Sequence, residues 1–306
     1  MKNFGLFYCA TNNVFDRLSS SLEKQKYFPA DASNASSFLV TDCAIEKIPE
    51  HVRASFDKII TCDPWVLIGE RRFFSLSILR NTSINAAIEM NLSGILFCDS
   101  GTIIVDFDVS KSIDFAIPNV YWQKSSEETI EQSLDNIQSE ESPFSNGNSW
   151  FYLSRKMFSE YRFNEKIIGY GYEDIEFWTR VAVKCELKTG MGTIVHNFHS
   201  HQERMIDPVL FDRNRFICEC TQKAISQGLS ITHQNVSAYH AVHPHWENDI
   251  ILIHEDSRFY RLNARDGGKF VMKKDCSITL VWDNKQWNEE SFDIQGGILE
   301  YSPTND

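Results

Sequence analysis

Residues 169–174 read Gly-Tyr-Gly-Tyr-Glu-Asp, and this combination has a clear chemical use. Glycine lets backbone approach a ligand where any Cβ would clash. Tyr170, held between Gly169 and Gly171 and followed by Tyr172, offers a flat apolar face of the kind a sugar ring stacks on. The Glu173-Asp174 pair offers a carboxylate base. The residues that follow space Ile175, Trp178, Val181 or Ala182, and Cys185 at helical intervals. Both carboxylates therefore fall in the first turn of a helix, where free backbone N–H groups and the macrodipole favour the ionised form. The same residues would also make a plain capping cluster behind a glycine turn, and six positions alone do not decide between the two.

A site of this kind needs a sheet to hold it. Strand-like runs recur at Phe4–Cys9, Ser37–Thr41, Lys58–Thr61 and Gly94–Cys98, with polar or helical stretches between them, which predicts an α/β sheet covered by helices. Ligands of such sheets bind at the C-terminal ends of the strands. The residues there are Thr11-Asn12-Asn13, Asp42, Asp63 and Asp99, so Asn12, Asp42 and Asp99 are candidate binding residues. Turn chemistry alone would also place Asp at 42 or 63. Residues 123–148 are polar and rich in Ser, Glu and Gln, which suits either an exposed loop closing over a cleft or a surface helix from about Ser126 to Ile137. A helix through Asp212–Arg215 runs on to about Gln227, and Gly228 stops it.

The chain has 306 residues, enough for one α/β domain and a small annex. The annex shows in the change of texture after about Asn248, where short β-rich runs alternate with Asp-Gly-Gly and Lys-Lys-Asp turns. Division at residue 234 is expected, with a donor half near 1–115, an acceptor half near 145–234 and an accessory region at 235–306. Trp282, Trp287 and Phe292 would form the annex core or an exposed sugar-stacking platform. A unit this small buries little surface alone, so it is expected to dock on the main domain or on a second subunit.

A formal net charge of −12 argues against a nucleic-acid partner or an anionic membrane surface. No apolar run reaches the roughly 18 residues of a membrane span, and the opening segment turns polar too soon for a signal peptide. Eight cysteines without C-x-x-C pairs suit reduced thiols, and hence a cytoplasmic setting.

Residues 146–180 carry Ser154-Arg155-Lys156-Met157-Phe158, then Arg162-Phe163-Asn164-Glu165, then the Gly-Tyr-Gly-Tyr-Glu-Asp step. This succession resembles the acceptor-side motif of inverting β-1,4-galactosyltransferases and chondroitin-polymerase-type transferases, with Tyr170 in place of the usual Trp. The stretch from Phe74 to Val109 resembles the core of GT-A glycosyltransferases, where a helix with Arg80, Asn81 and Asn85 precedes a strand ending in Asp-x-Asp. Asp99-Ser100-Gly101 occupies that position, with glycine replacing the second carboxylate, and a literal Asp-x-Asp follows at Asp106–Asp108.

The resemblance implies a GT-A, Rossmann-like mixed sheet and an enzyme of the hexosyltransferase class. Asp174 would deprotonate the acceptor hydroxyl, Glu173 would help orient it, and Tyr170, Gly171 and Tyr172 would pack on the acceptor. Asn12, Asp42, Arg80, Asn81 and Asp99 would bind the donor. Asp99, His196 and His199 would hold Mn²⁺ or Mg²⁺, although the loss of the second Asp also leaves room for a metal-independent transferase. The implied donor is a UDP-linked hexose or N-acetylhexosamine, and the implied acceptor is a glycan or glycolipid of a bacterial surface polysaccharide. Contact with the inner membrane would come only through that acceptor. The rival from another class is an idle glycan-binding protein, against which the paired carboxylates argue. His240, His243 and His245 repeat the His-x-x-His-x-His spacing of His196, His199 and His201; they are candidate zinc ligands, with Cys218 and Cys220 as further donors, but contact with the acceptor or plain packing is the favoured reading.

Overall fold

The computed structural model describes residues 4–25, 35–68, 70–107, 113–135, 149–199, 207–229, 235–246, 248–273, 277–284 and 289–302. The predicted strands form as β1 (Phe4–Cys9), β2 (Ala35–Thr41) and β3 (Lys58–Thr61). A separate hairpin, β4 (Trp65–Ile68) with β5 (Arg71–Phe74), then leads into β6 (Gly94–Cys98). The second half adds β7 (Thr102–Phe107), β8 (Phe115–Trp122), β9 (Phe151–Ser154) and β10 (Lys188–His196). Together they make an eight-stranded mixed sheet in the order β3-β2-β1-β6-β9-β8-β10-β7.

The first four strands of that order are parallel. β9 runs against both β6 and β8, and β10 runs parallel to β8, so β10 points the same way as β6. Every residue of β1 and β6 is buried, as expected of parallel strands covered on both faces. Alternation divides them between two cores: Phe7 and Phe97 pack on one side, Leu6, Tyr8 and Leu96 on the other. The helices are α1 (Phe15–Lys24), α2 (Glu50–Arg53), α3 (Leu76–Glu89), α4 (Ile130–Asp135), α5 (Arg155–Glu160), α6 (Glu173–Ala182) and α7 (Pro208–Ser226). The helix expected from Ser126 to Ile137 is reduced to α4, and residues 136–148 lie outside the described residues. Asp106 is an exposed residue within β7, paired with β10, and Asp108 lies outside the described residues.

The annex is a closed seven-stranded barrel. Its strands are β11 (Val236–Val242), β12 (Asp249–His254), β13 (Arg258–Arg261), β14 (Asp266–Met272), β15 (Ser277–Trp282), β16 (Glu290–Gln295) and β17 (Ile298–Tyr301). Parallel pairing of β11 with β17, through Ala241 and Leu299, completes the ring. Trp282 and Phe292 are buried in its interior, which answers the choice between core and platform for those two, and Trp287 lies outside the described residues. His243 is also interior: it stacks on Trp246 and its Nε2 lies 3.4 Å from Glu290 Oε1. Phe216 of α7 stacks on His240. The three barrel histidines therefore have packing partners, and among the described residues they form no metal-holding group with Cys218 and Cys220.

The barrel docks on its own chain. Cys220 and Ala224 of α7 share an apolar cluster with Val236, Leu252 and Leu262. Asn164, buried beneath the junction, donates to Val236 O at 2.9 Å and accepts from Val236 N at 3.2 Å. A buried peptide group that loses its partner costs about 1–3 kcal/mol. Asn164→Ala strands both peptide groups of Val236 and is expected to lower stability by about 2–4 kcal/mol in urea unfolding, on the same scale. A loss below about 0.5 kcal/mol, the range of ordinary surface changes, would mean this junction does not hold the barrel.

Candidate active site

β1, β2, β6 and β10 all end on the same side of the sheet, so Asn12, Asp42, Asp99 and His196 collect along one edge. Asp99 follows β6 and is half-buried. Its Oδ1 accepts from Gly101 N at 2.8 Å and from the Thr102 hydroxyl at 3.0 Å, while Oδ2 faces His196 Nε2 at 3.4 Å. Burial pushes this carboxyl up, but the charge and hydrogen bond of His196, with Gly101 N–H and Thr102, outweigh it and hold the pKa at about 2.

His196, the last residue of β10, is buried between Trp122, with ring centroids 4.2 Å apart, and Trp150, at 5.1 Å. His199 follows, its ring 5.0 Å from that of His196. The glycine at 101 now has a physical reason. A Cβ there would lie 2.7 Å from His196 Nε2, so the imidazole fills the space that a second carboxylate would need.

The separation of Asp99 Oδ2 and His196 Nε2 suits two donors on one ion with bonds of about 2.1 Å. Those two groups would offer a divalent cation one carboxylate oxygen and one imidazole nitrogen. Among the described residues there is no group of three or more His, Cys, Asp or Glu arranged to hold one. Lys24 is a nearby cation: its ammonium donates to Asn197 Oδ1 at 2.9 Å and Gln123 Oε1 at 3.3 Å, beside the end of β10.

The acidic pair lies where the sequence places it, in the first turn of α6. Asp174 is buried and forms an ion pair with Arg80 of α3, also buried. The guanidinium lies among aromatic rings, 5.0 Å from the centroid of Phe163, 5.6 Å from Phe151 and 5.9 Å from Phe97. Burial pulls the Arg80 pKa down, while Glu173 and Asp99 push it back. One guanidinium therefore feels the carboxylates of both halves of the site. Glu173 is half-buried, and its Oε2 is buried without a hydrogen-bond partner among the described residues.

The side chains of Arg80 and Asn81, both expected at the donor, face different parts of the fold. Adjacent helical residues point about 100° apart. Arg80 faces Asp174, while Asn81 faces the opposite junction. Asn81 donates to Phe163 O at 3.0 Å and Glu165 Oε1 at 2.7 Å, and accepts from Phe163 N at 2.8 Å. With Asn85, Asn235 and Glu255 it lines a cavity of about 330 Å³ next to the barrel. Asn12 is exposed, and its N–H donates to Asp42 Oδ1 at 3.0 Å. Asp42 also accepts from Trp65 Nε1 at 2.9 Å, so it ties the ends of β1 and β2 to the hairpin.

Ahead of the carboxylates, Gly169, Gly171 and Tyr172 have φ of +80°, +97° and +71°. A non-glycine residue in that region stores strain. The surroundings enforce it: Tyr172 packs on Phe211 at 5.1 Å, and Asn214 of α7 donates to Ile168 O at 2.9 Å and Gly171 O at 3.3 Å. A Cβ on Gly171 would lie 2.9 Å from Phe211 Cε2. Tyr170 is left 39% exposed at the tip of this turn. Asn214 is a shaping residue the sequence reading missed. Its signal was a polar residue on the apolar stripe formed by Leu210, Ile217 and Thr221.

No family model matches the chain, and no curated protein matches it. Solved structures do resemble it at a distance. Staphylococcus aureus TarS is 14% identical, with a TM-score of 0.46 over 76% of this chain and 40% of that one, so the chain spans about two fifths of TarS. Mycobacterium tuberculosis glucosyl-3-phosphoglycerate synthase, solved with Mn²⁺, UDP-glucose and phosphoglyceric acid, is 12% identical, with a TM-score of 0.43 over 74% and 80%. GalNAc-T7, solved with UDP, GalNAc and Mn²⁺, is 12% identical, with a TM-score of 0.48 over 97% and 76%. These neighbours are GT-A glycosyltransferases. At such values the likeness carries no weight on chemistry, which rests on the chain's own side chains. Among the described residues, no helix is long and apolar enough to cross a membrane.

Two outcomes test this geometry. Removing one partner of a buried ion pair costs about 3–5 kcal/mol, whereas replacing both with apolar groups costs far less. Arg80→Met with Asp174→Leu should therefore be clearly more stable in urea than the sum of the two single changes allows. Simple additivity would mean the pair is not coupled. Gly101→Ala should turn His196 off Asp99 and move the Asp99 carboxyl from about 2 towards its ordinary range, read by carboxyl-carbon NMR titration. An unmoved titration would show that the imidazole does not hold the carboxylate.

Proposed function

We propose that the chain is an inverting glycosyltransferase that moves a hexose or N-acetylhexosamine from a UDP-sugar to a glycan acceptor in surface polysaccharide synthesis. One observation carries the reading. Arg80 pairs with Asp174, which follows Glu173, and its guanidinium stands 5.9 Å from the ring of Phe97, two positions before Asp99, which faces His196. A donor-side carboxylate and an acceptor-side acidic pair thus share one edge of the sheet, as a transfer between two bound sugars requires.

In this reading Tyr170, Gly171 and Tyr172 seat the acceptor, and Asn12 and Asp42 contribute to the donor side. Asp99 and His196, with His199 beside them, would hold Mn²⁺ or Mg²⁺, which when bound supplies positive charge to the diphosphate. The acceptor oxygen forms its bond to the anomeric carbon on the face opposite the nucleotide. The bond from that carbon to the diphosphate oxygen breaks, the electron pair leaves with UDP, and the acceptor proton passes to Asp174. Arg80 acts through Asp174, fixing its rotamer by the ion pair. Glu173 orients the hydroxyl. Residues 1–234 would form the transferase unit and 235–306 an accessory unit.

A second reading is metal-independent transfer, with cations such as Lys24 meeting the diphosphate. Gly101 favours it, since it leaves Asp99 as the lone carboxylate of the Asp-x-Asp position.

Hydrolysis of a panel of UDP-sugars, followed by transfer assays, tests the activity. Asp174→Asn should lower turnover by ~10²–10⁴-fold, the usual contribution of a general base. Unfolding must be measured alongside, because the change weakens a buried ion pair. Glu173→Gln should cost less than Asp174→Asn, and the reverse order would exchange their roles. UDP affinity by calorimetry should fall when Mn²⁺ is chelated, and Asp99→Ala should remove that difference. Equal affinity with metal and with chelator would establish the second reading.

A further inference from the structure

Five large apolar side chains stand exposed beside the site: Trp65, Leu67 and Ile68 on β4, Tyr170 on the glycine turn and Val209 at the start of α7. Leu67 and Val209 expose 66% and 77% of their surface, far more than side chains left over from a core edge. The structure ties these three elements together. Gly169 N donates to Phe74 O at 2.7 Å, joining the hairpin base to the Tyr170 turn. Arg71 pairs with Asp207 at 3.3 Å, joining the hairpin to the residue that caps α7 two positions before Val209.

The hairpin pairs with no other strand among the described residues, and an isolated two-stranded hairpin is marginal in water. Its register puts Trp65 opposite Phe74 and Val66 opposite Phe73, so both of its faces carry apolar groups. Scattered exposed apolar residues need no explanation, but a group of them on elements tied to one another marks a contact surface.

Charge narrows the occupant. Arg71 is matched by Asp207, and Arg72 by Asp63 at 2.9 Å, while Glu70 between the two strands is exposed, so the patch leans acidic on a chain of net charge −12. Such a surface has nothing to attract anionic headgroups, and its exposed Leu67, Ile68 and Val209 suit uncharged hydrocarbon. We infer that this lip binds the apolar chain of an amphiphilic acceptor, whose sugar end reaches Tyr170 and whose hydrocarbon lies along Leu67, Ile68 and Val209. The inference rests on the reading of the Tyr170 turn as the acceptor platform.

The test is calorimetry on the full chain with UDP present, using hexyl, octyl and decyl β-D-galactosides and β-D-glucosides below their micelle concentrations. Full burial of one methylene tightens binding roughly fourfold, so a partly covering lip should give about twofold or more per methylene. Leu67→Ser/Ile68→Ser should abolish this dependence and leave UDP affinity unchanged. Absence of chain-length dependence in the wild type, or its survival in the double variant, overturns the inference. Binding to phosphatidylcholine vesicles without chain-length dependence would also overturn it, by making a bilayer the occupant. So would self-association that the variant abolishes, by making the occupant a second copy. If UDP fails to bind while chain-length dependence persists, the transferase reading falls and the apolar lip stands.

Discussion

The Arg80–Asp174 ion pair is the constraint around which the molecule is arranged. Two opposite charges with side-chain exposures of 2% and 9% are tolerable only if each is present and correctly placed, because either alone would be a desolvated charge. Placing them requires α3 and α6 to keep a fixed relation across the sheet. The aromatic wall does this: Phe163 stacks on Phe177 at 4.1 Å, and Phe97 and Phe151 lie 5.0 Å apart under the guanidinium. A second buried pair stiffens the same helix. Arg180 makes two 2.8 Å bonds to Glu176, and a further bond, to Arg162 O, fastens α6 to the segment that carries Phe163. The carboxylate is therefore positioned by packing, through residues that lie in the core.

At the ends of β6 and β10 the same logic operates with fewer charges. Thr102 is the hub: it donates to Asp99 Oδ1, accepts from Asp99 N at 2.9 Å, and accepts from Trp150 Nε1 at 2.6 Å. Trp150 in turn walls His196. Thus the orientation of the imidazole and that of the carboxylate are set through one hydroxyl. Asn197 N donates to Gly101 O at 2.8 Å and closes the loop behind them.

How much of this could be read from the sequence depended on how local the cause was. β1, β2, β3 and β6 are apolar runs ended by turn residues, and α6 announces itself by spacing, so these were legible. The mates of the charged residues were not, since Arg80 and Asp174 are far apart in sequence. The trace they leave is indirect. Arg80 lies on the stripe of Leu76, Leu79 and Ser83, just as Asn214 lies on the stripe of Leu210 and Ile217. A polar side chain on a buried stripe implies a buried partner but does not name it. β11 escaped because Val-Ser-Ala-Tyr-His-Ala-Val is only weakly apolar, and α7 supplies part of what covers it. The β4–β5 hairpin escaped because Trp65, Leu67 and Ile68 are exposed, against the ordinary alternation of a strand.

The closure of the barrel bears on how the chain matures. β11 needs β17 as its neighbour, yet the two are separated by all five other strands. Contacts this distant in sequence form late, because loop-closure entropy is paid before they give anything back. During synthesis from the N-terminus, the α/β sheet can assemble while β11 still has one unpaired edge. That edge remains a template for foreign strands until Ile298–Tyr301 has left the ribosome. The strand that docks the barrel through Val236 is thus the same one that waits longest for its partner, and shielding it falls to the short interval between emergence of the first and last barrel strands.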